Sequence, residues 1–327
     1  MSRIFFLVPG FRPTGGVVKV FDYAVHARDL GFDPVICCHQ PFRPDLPLLQ
    51  VGRFASLTPP AGIRYLKGFG FRVAPPDRAF FSWPRHYEKV APRLAPGTPP
   101  EQVIHIVQNT RHGNPEWLEG AATRLLALPM ARIMITREVH EACLPYLNPA
   151  SPTRLIPEGH DWPYFFRERR GGLPRPLKVA YTTWKSEAGM AVEQALAGDA
   201  RFAFRSISGT VAWPELRELY HWCDVFLGFP NRQEGFYLVG LEVMAAGALF
   251  VTPDVEGNRA YCRWGENCLR VEWGAVPGYL AALEQLAAMS TAEVEAMRGA
   301  GYAVLAHHTL EAERDGFGRF LEELGGR

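Results

Sequence analysis

Six cysteines in 327 residues, none of them in a C-x-x-C pair, leave little room for a disulfide framework or a thiolate metal site. Cys37, Cys38, Cys143, Cys223, Cys262 and Cys268 lie mostly in apolar, strand-like surroundings such as "PVICC". Buried thiols in a reducing compartment are the expectation. Long hydrophobic runs are missing as well. The amino-terminal "MSRIFFLVPG" holds only a five-residue apolar run, too short for a secretory signal, and no stretch approaches a membrane span. The expected location is the cytoplasm. Charge of one sign is not in excess either: a net charge of +1 gives no global field to attract nucleic acid, so any electropositive site must be local. Neither G-x-G-x-x-G nor G-x-x-x-x-G-K-[ST] follows the first apolar run, and no G-x-S-x-G occurs. These absences argue against a dinucleotide fold, a P-loop and a serine hydrolase. The second half has no H-x-x-x-H, D-x-D or clustered Cys/His spacing, so no metal and no cofactor are expected.

What is present is an alternation. A chain of this length exceeds one ordinary core, and 47% hydrophobic with 21% charged residues is the composition of a soluble globular enzyme. The strand-like "RIFFLVP" precedes a helical stripe over 15–31 and then the strand "DPVICC". Residues 40–100 are rich in proline, arginine and aromatics and show only weak elements. Strand "VIHIVQ", helix "NPEWLEGAATRLLAL", strand "ARIMIT", helix "REVHEACLPYL" and strand "TRLIP" then resume the pattern. The charged "FFRERRGGLPRPLK" reads as an exposed linker, with 1–165 as a first domain, 166–178 as the link and 179–327 as a second domain. Beyond it strands and helices alternate again, and two helical stretches close the chain, the last of them a candidate to cross back to the first domain. Such alternation implies two doubly wound α/β domains with parallel sheets, and ligands at the carboxyl ends of the strands in a cleft between them.

Two stretches carry candidate chemistry. After the first strand, "GFRPTGGVVKV" places Gly15 and Gly16 where a loop becomes a helix, either as an anion site of free amides or as a tight turn. In "NRQEGFYLVGLEVMAAGALFVTPDVEGN", Glu234 and Glu242 bracket an apolar run. Glu234 reads either as a helix cap or as a contact to a sugar, while Glu242 interrupts buried positions about one turn into the expected helix. Amides of Gly235, Phe236, Tyr237 and Leu238 suit phosphates, and a carboxylate at Glu242 suits paired ribose hydroxyls. The pieces fit a nucleoside diphospho-sugar.

The block from "ELRELYHWC" through Glu-Gly-Phe, the second Glu and Met-Ala-x-Gly resembles the donor region of the retaining group 1 (family 4) glycosyltransferases. "GGVVKVFDYAVHARDLGFDPVICC" and "RLIPEGHD" are similar to that family's first-domain helix and its crossing segment. The resemblance spans nearly the whole chain outside residues 40–100. It implies the GT-B fold and a metal-independent, retaining hexosyl- or deoxyhexosyltransferase. The donor is a nucleotide-sugar, and the acceptor a glycan or lipid-linked saccharide, as in polysaccharide biosynthesis. Carried over, Glu234 and Lys185 are the catalytic candidates, while Gly15, Gly16, Gly235, Phe236, Tyr237, Leu238 and Glu242 are the donor-binding ones.

The chain departs from the family pattern in three places. "VAYTTWKSEAG" supplies Lys185 but no arginine for the phosphate clamp, leaving Arg205 or Arg12 as substitutes. The stretch from Lys185 to Pro214 is shortened. "VIHIVQN" has His105 but Val107 where a second histidine is usual, so His105 is either a core histidine or sugar-facing, with Gln108, Asn109 and His112 as further sugar- or acceptor-facing candidates. Rival readings are a nucleotide-sugar epimerase or hydrolase, with His112, His140 or Glu158 as base, and a non-catalytic binder of nucleotide-sugar or of a partner. The segment from Gly62 to Lys89 interleaves Arg64, Lys67, Arg72, Arg78 and Arg85 with Tyr65, Phe69, Phe71, Phe80, Phe81 and Trp83. Its aromatics either fill the first domain's core or, with the cations, meet an acceptor at the membrane surface.

Overall fold

Strands buried on both faces read as continuous apolar runs, as "IFFL", "VICC" and "LFV" do here. The computed structural model describes residues 2–43, 45–46, 48, 51, 53–54, 63–209 and 211–325. Gly62, at the head of the arginine- and aromatic-rich segment, lies outside them. The described residues form two units: residues 1–159 with 310–327, and residues 160–309.

In the first unit the strands are β1 (Arg3–Leu7), β2 (Asp33–Cys38), β3 (Arg64–Lys67), β4 (Arg78–Phe81), β5 (Val103–Val107), β6 (Ala131–Met134) and β7 (Thr153–Leu155). They form one sheet in the order β3-β2-β1-β4-β5-β6-β7, every described pair parallel. Its helices include α1 (Gly15–Asp29), α2 (Tyr87–Val90), α3 (Ala121–Leu126) and α4 (Arg137–Cys143).

The weak region of the sequence thus contributes two strands, and β4 is central. Its four residues are all buried and lie between β1 and β5. Four residues bracketed by "APPD" and "SWP" are too few to show a period, so only the finished sheet identifies them. The aromatics of this segment fill the core. Phe69, Phe71, Phe80 and Phe81 are buried, and Phe71 stacks on Phe5 at 4.8 Å. Arg78 is buried, and Arg64 is ion-paired with Asp33. Of the aromatics offered for a membrane surface only Trp83 is exposed, so the core-filling alternative describes the segment. The helix expected over 114–128 is shortened to α3, because Leu118, Glu119 and Gly120 adopt left-handed backbone at φ 52°, 55° and 75°.

In the second unit β8 (Leu177–Thr182), β9 (Phe202–Ile207), β10 (Val225–Leu227), β11 (Leu249–Pro253) and β12 (Cys268–Val271) form a parallel sheet in the order β12-β11-β10-β8-β9. Its helices are α5 (Ala188–Ala195), α6 (Trp213–Trp222), α7 (Val239–Ala245), α8 (Val276–Ala288) and α9 (Thr291–Leu305). Val179, Val225, Leu249 and Val251 pack against Leu283 and Leu286 of α8 and Val294 and Met297 of α9. Three helices rather than two close the chain, the third being α10 (Leu310–Glu323). It belongs to the first unit, where Phe317 meets Tyr23 edge-on at 4.9 Å. The units change at 159/160, so the charged segment 166–178 lies within the second.

All six cysteines are buried free thiols. Among the described residues no helix is long and apolar enough to cross a membrane.

Candidate active site

The candidate chemistry of the second unit sits on the loop from β10 to α7. Glu234 is buried there, and its Oε1 accepts from Lys185 Nζ and from the amide and Nδ2 of Asn231, each of the latter two at 3.1 Å. Its Oε2 has no hydrogen-bond partner among the described residues. Lys185 Nζ also lies 5.1 Å from the Trp184 ring centre and 4.9 Å from that of Tyr237, so one cation is held by a carboxylate and two aromatic faces. Glu234 does not cap α7. Its Oε1 meets Asn231 and Lys185, and the cap position is Leu238.

The backbone amides of this loop divide. Among the described residues none of Gly235, Phe236 and Leu238 has an acceptor for its amide, as a phosphate site requires. The Tyr237 amide is different: it donates to the Gly257 carbonyl at 2.7 Å, which corrects its assignment as a phosphate contact. A Cβ at Gly257 would come within 2.6 Å of Glu234 Cβ, so only glycine permits this close passage. Glu242, on α7, is buried, with Oε1 3.0 Å from His160 Nε2 and Oε2 accepting from the Tyr220 hydroxyl at 2.9 Å.

The first unit groups the other candidates. Gly15 and Gly16 open α1 and are exposed, ahead of the first helical bonds, in which Val17 and Val18 donate to Thr14. A Cβ on Gly16 would fall 2.9 Å from Gln108 Oε1, so the structure brings these two candidates together. Asn109 is occupied otherwise, its Oδ1 accepting from Arg111 at the start of a 3-10 turn. His105 is fully buried, stacked between Phe81 at 5.0 Å and His112 at 5.2 Å. Burial, with His112 and Arg132 nearby, holds the His105 imidazole well below its ordinary range, and burial beside Arg111 holds His112 at about 3. His105 is therefore the core histidine of the two alternatives, and His112 stacks on Trp117 at 5.0 Å as part of the same array. Arg205, on the edge strand β9, pairs with Glu218 of α6.

Sequence reasoning passed over His160, Tyr220, Asn231 and Gly257. Asn231 and Gly257 stand inside the quoted block. The partners of His160 and Tyr220 are 82 and 22 residues away, and no local pattern encodes those contacts.

Residues 190–289 match the family described as glycosyl transferases group 1. No curated protein matches the chain in sequence. Among solved structures, sucrose-phosphate synthase from Thermosynechococcus elongatus superposes with a TM-score of 0.73 at 13% identity, covering 99% of each chain. Anabaena HepE, in complex with UDP and glucose, gives 0.68 at 13% identity over 99% of this chain and 100% of its own. A glycosyltransferase from Rickettsia africae gives 0.65 at 10% identity over 99% and 98%. At these identities the likeness is one of fold, and that fold is GT-B. The matched block, 100 of the 327 residues, contains Glu234 and Glu242.

Proposed function

We propose that the protein is a retaining, metal-independent glycosyltransferase that moves a hexosyl or deoxyhexosyl group from a nucleoside diphospho-sugar to a hydroxyl of a glycan or lipid-linked saccharide. The observation that carries this reading is the Glu234 carboxylate. One of its oxygens is held by Lys185 and Asn231, the other has no partner among the described residues, and the nearby amides of Gly235, Phe236 and Leu238 lack acceptors among them. In this reading the free oxygen receives a donor-sugar hydroxyl, the amides of Gly235, Phe236 and Leu238 receive the diphosphate, and Glu242 holds the ribose. The bond from the anomeric carbon to the leaving phosphate oxygen breaks, and the bond to the acceptor oxygen forms on the same face. The acceptor proton passes to the leaving phosphate. Lys185 then stabilises charge that grows on that phosphate.

A second reading, binding of nucleotide-sugar without turnover, is favoured by one observation. The loop from β8 to α5 offers a single cation, and Glu234 already holds it. A hydrolase using His112 as base is disfavoured, because an imidazole held at about 3 is far too weak a base near neutral pH. Thermal shift with UDP-, GDP- and ADP-sugars identifies the donor, since a ligand of the folded state raises the unfolding temperature. Release of nucleoside diphosphate in the presence of acceptor saccharides then separates the readings. Release that is lost in Glu234→Gln supports transfer, and binding without release supports the second reading.

A further inference from the structure

We propose that His160 is a positioning residue for the donor, and that with Tyr220 it sets the orientation of the Glu242 carboxylate toward the ribose. This rests on the reading of Glu242 given above. A carboxylate has about four lone-pair sites, two on each oxygen. His160 Nε2 lies 3.0 Å from Oε1, and the Tyr220 hydroxyl donates to Oε2 at 2.9 Å, so each oxygen keeps one site. Two acceptor sites on one fixed carboxylate match a vicinal diol. Without the two donors the carboxylate is free to rotate about its terminal torsion, which is broad.

The imidazole is built to stay in place. Its side chain is fully buried, stacked on Phe165 at 5.9 Å and 17° and tilted against Trp213 at 5.5 Å. Its backbone amide donates to the His308 carbonyl at 3.1 Å. The preceding residue is anchored separately in the first unit: the Gly159 carbonyl accepts from Lys19 Nζ at 2.7 Å, and its amide donates to Glu313 Oε1 at 3.1 Å. His160 Nδ1 has no hydrogen-bond partner among the described residues. The proton therefore belongs on Nε2, where an acceptor-only carboxylate needs it, and the unmatched atom is a lone pair rather than a donor.

The test uses the full chain with UDP and 2′,3′-dideoxy-UDP as probes, measured by calorimetry. His160→Phe keeps an aromatic ring but loses the donor, and is expected to weaken UDP about tenfold, the scale of one hydrogen bond to a charged group, while leaving dideoxy-UDP unchanged. His160→Gln restores an N–H at a similar reach and is expected to bind UDP within about twofold of the parent. Tyr220→Phe, which removes one oxygen, shows the same preference for an effect on UDP alone and serves if His160→Phe does not fold. Equal weakening of both probes, or a glutamine variant no better than phenylalanine, overturns the positioning role. Glu242→Gln is the control: if it leaves the ratio between the two probes unchanged, the ribose reading of Glu242 is wrong, whatever the His160 variants do.

Discussion

The Lys185 ammonium group lies over the Trp184 and Tyr237 rings with Glu234 against it, so its charge is held before any donor arrives. A pre-placed cation acts most where negative charge develops. Lys185→Met is therefore expected to lower kcat about a hundredfold and the affinity for nucleoside diphosphate much less. Steady-state kinetics beside calorimetry measure the two, and equal losses in both would show ordinary ground-state binding. Glu242 calls for a different forecast. Both of its oxygens are engaged, so Glu242→Ala strands the Tyr220 hydroxyl and the His160 N–H in the interior. It should cost about 1–3 kcal/mol of stability besides its loss of nucleotide affinity. A urea midpoint unchanged from the parent would contradict that. Glu242 was legible because it breaks an apolar run, and Glu234 because it opens the Glu-Gly-Phe stretch ahead of that run. What holds them was not, since hydrogen bonds to His160 and Tyr220 form between segments that only the fold brings together.

At the scale of elements, every strand outside residues 40–100 was legible, while β3 and β4 were not. β1, β2, β5 and β6 declare themselves as runs, whereas β4 is recognised only by its place between β1 and β5. Helix α1 shows a charged stripe that the sequence leaves unexplained until α10 returns. Lys19 Nζ meets Asp22 at 3.0 Å and Glu313 at 2.7 Å, His26 Nε2 lies 2.9 Å from the same Glu313 oxygen, and Arg53 pairs with Asp22 at 2.7 Å. Glu158 is buried beside this cluster. Burial, with Glu313 and Asp22 nearby and despite Lys19, pushes its carboxyl up to about 8 from an ordinary 4.5. Between those values the folded chain keeps a proton that the unfolded chain has released, so this group makes stability fall as pH rises from about 4.5 to about 8. Glu158→Gln is expected to flatten that decline in melting temperature across pH 5 to 8. A slope identical to the parent's would show that Glu158 is ionised in the folded state.

For the molecule as a whole, the restart of strand–helix alternation after residue 176 made two sheets legible, while the point of crossing was not. Gly159 is fixed by side chains of α1 and α10 that lie 140 and 154 residues away. The same separation of sequence from contact bears on the chemistry. In the proposed transfer, positive charge near the departing phosphate comes from Lys185 and backbone amides. Among the described residues no group of three or more His, Cys, Asp and Glu side chains is arranged to hold a metal ion. Glu234 has a lysine on one oxygen, which competes with any cation there. A divalent ion would also have to displace Lys185, whose ion pair is largely buried, and losing one partner of such a pair costs about 3–5 kcal/mol. Turnover is accordingly expected to survive dialysis against EDTA. The measurement is nucleoside diphosphate release before and after chelation, with the donor found by thermal shift. Loss of release that manganese or magnesium restores would mean that the diphosphate is neutralised by a metal, and the role assigned to Lys185 would fall with it.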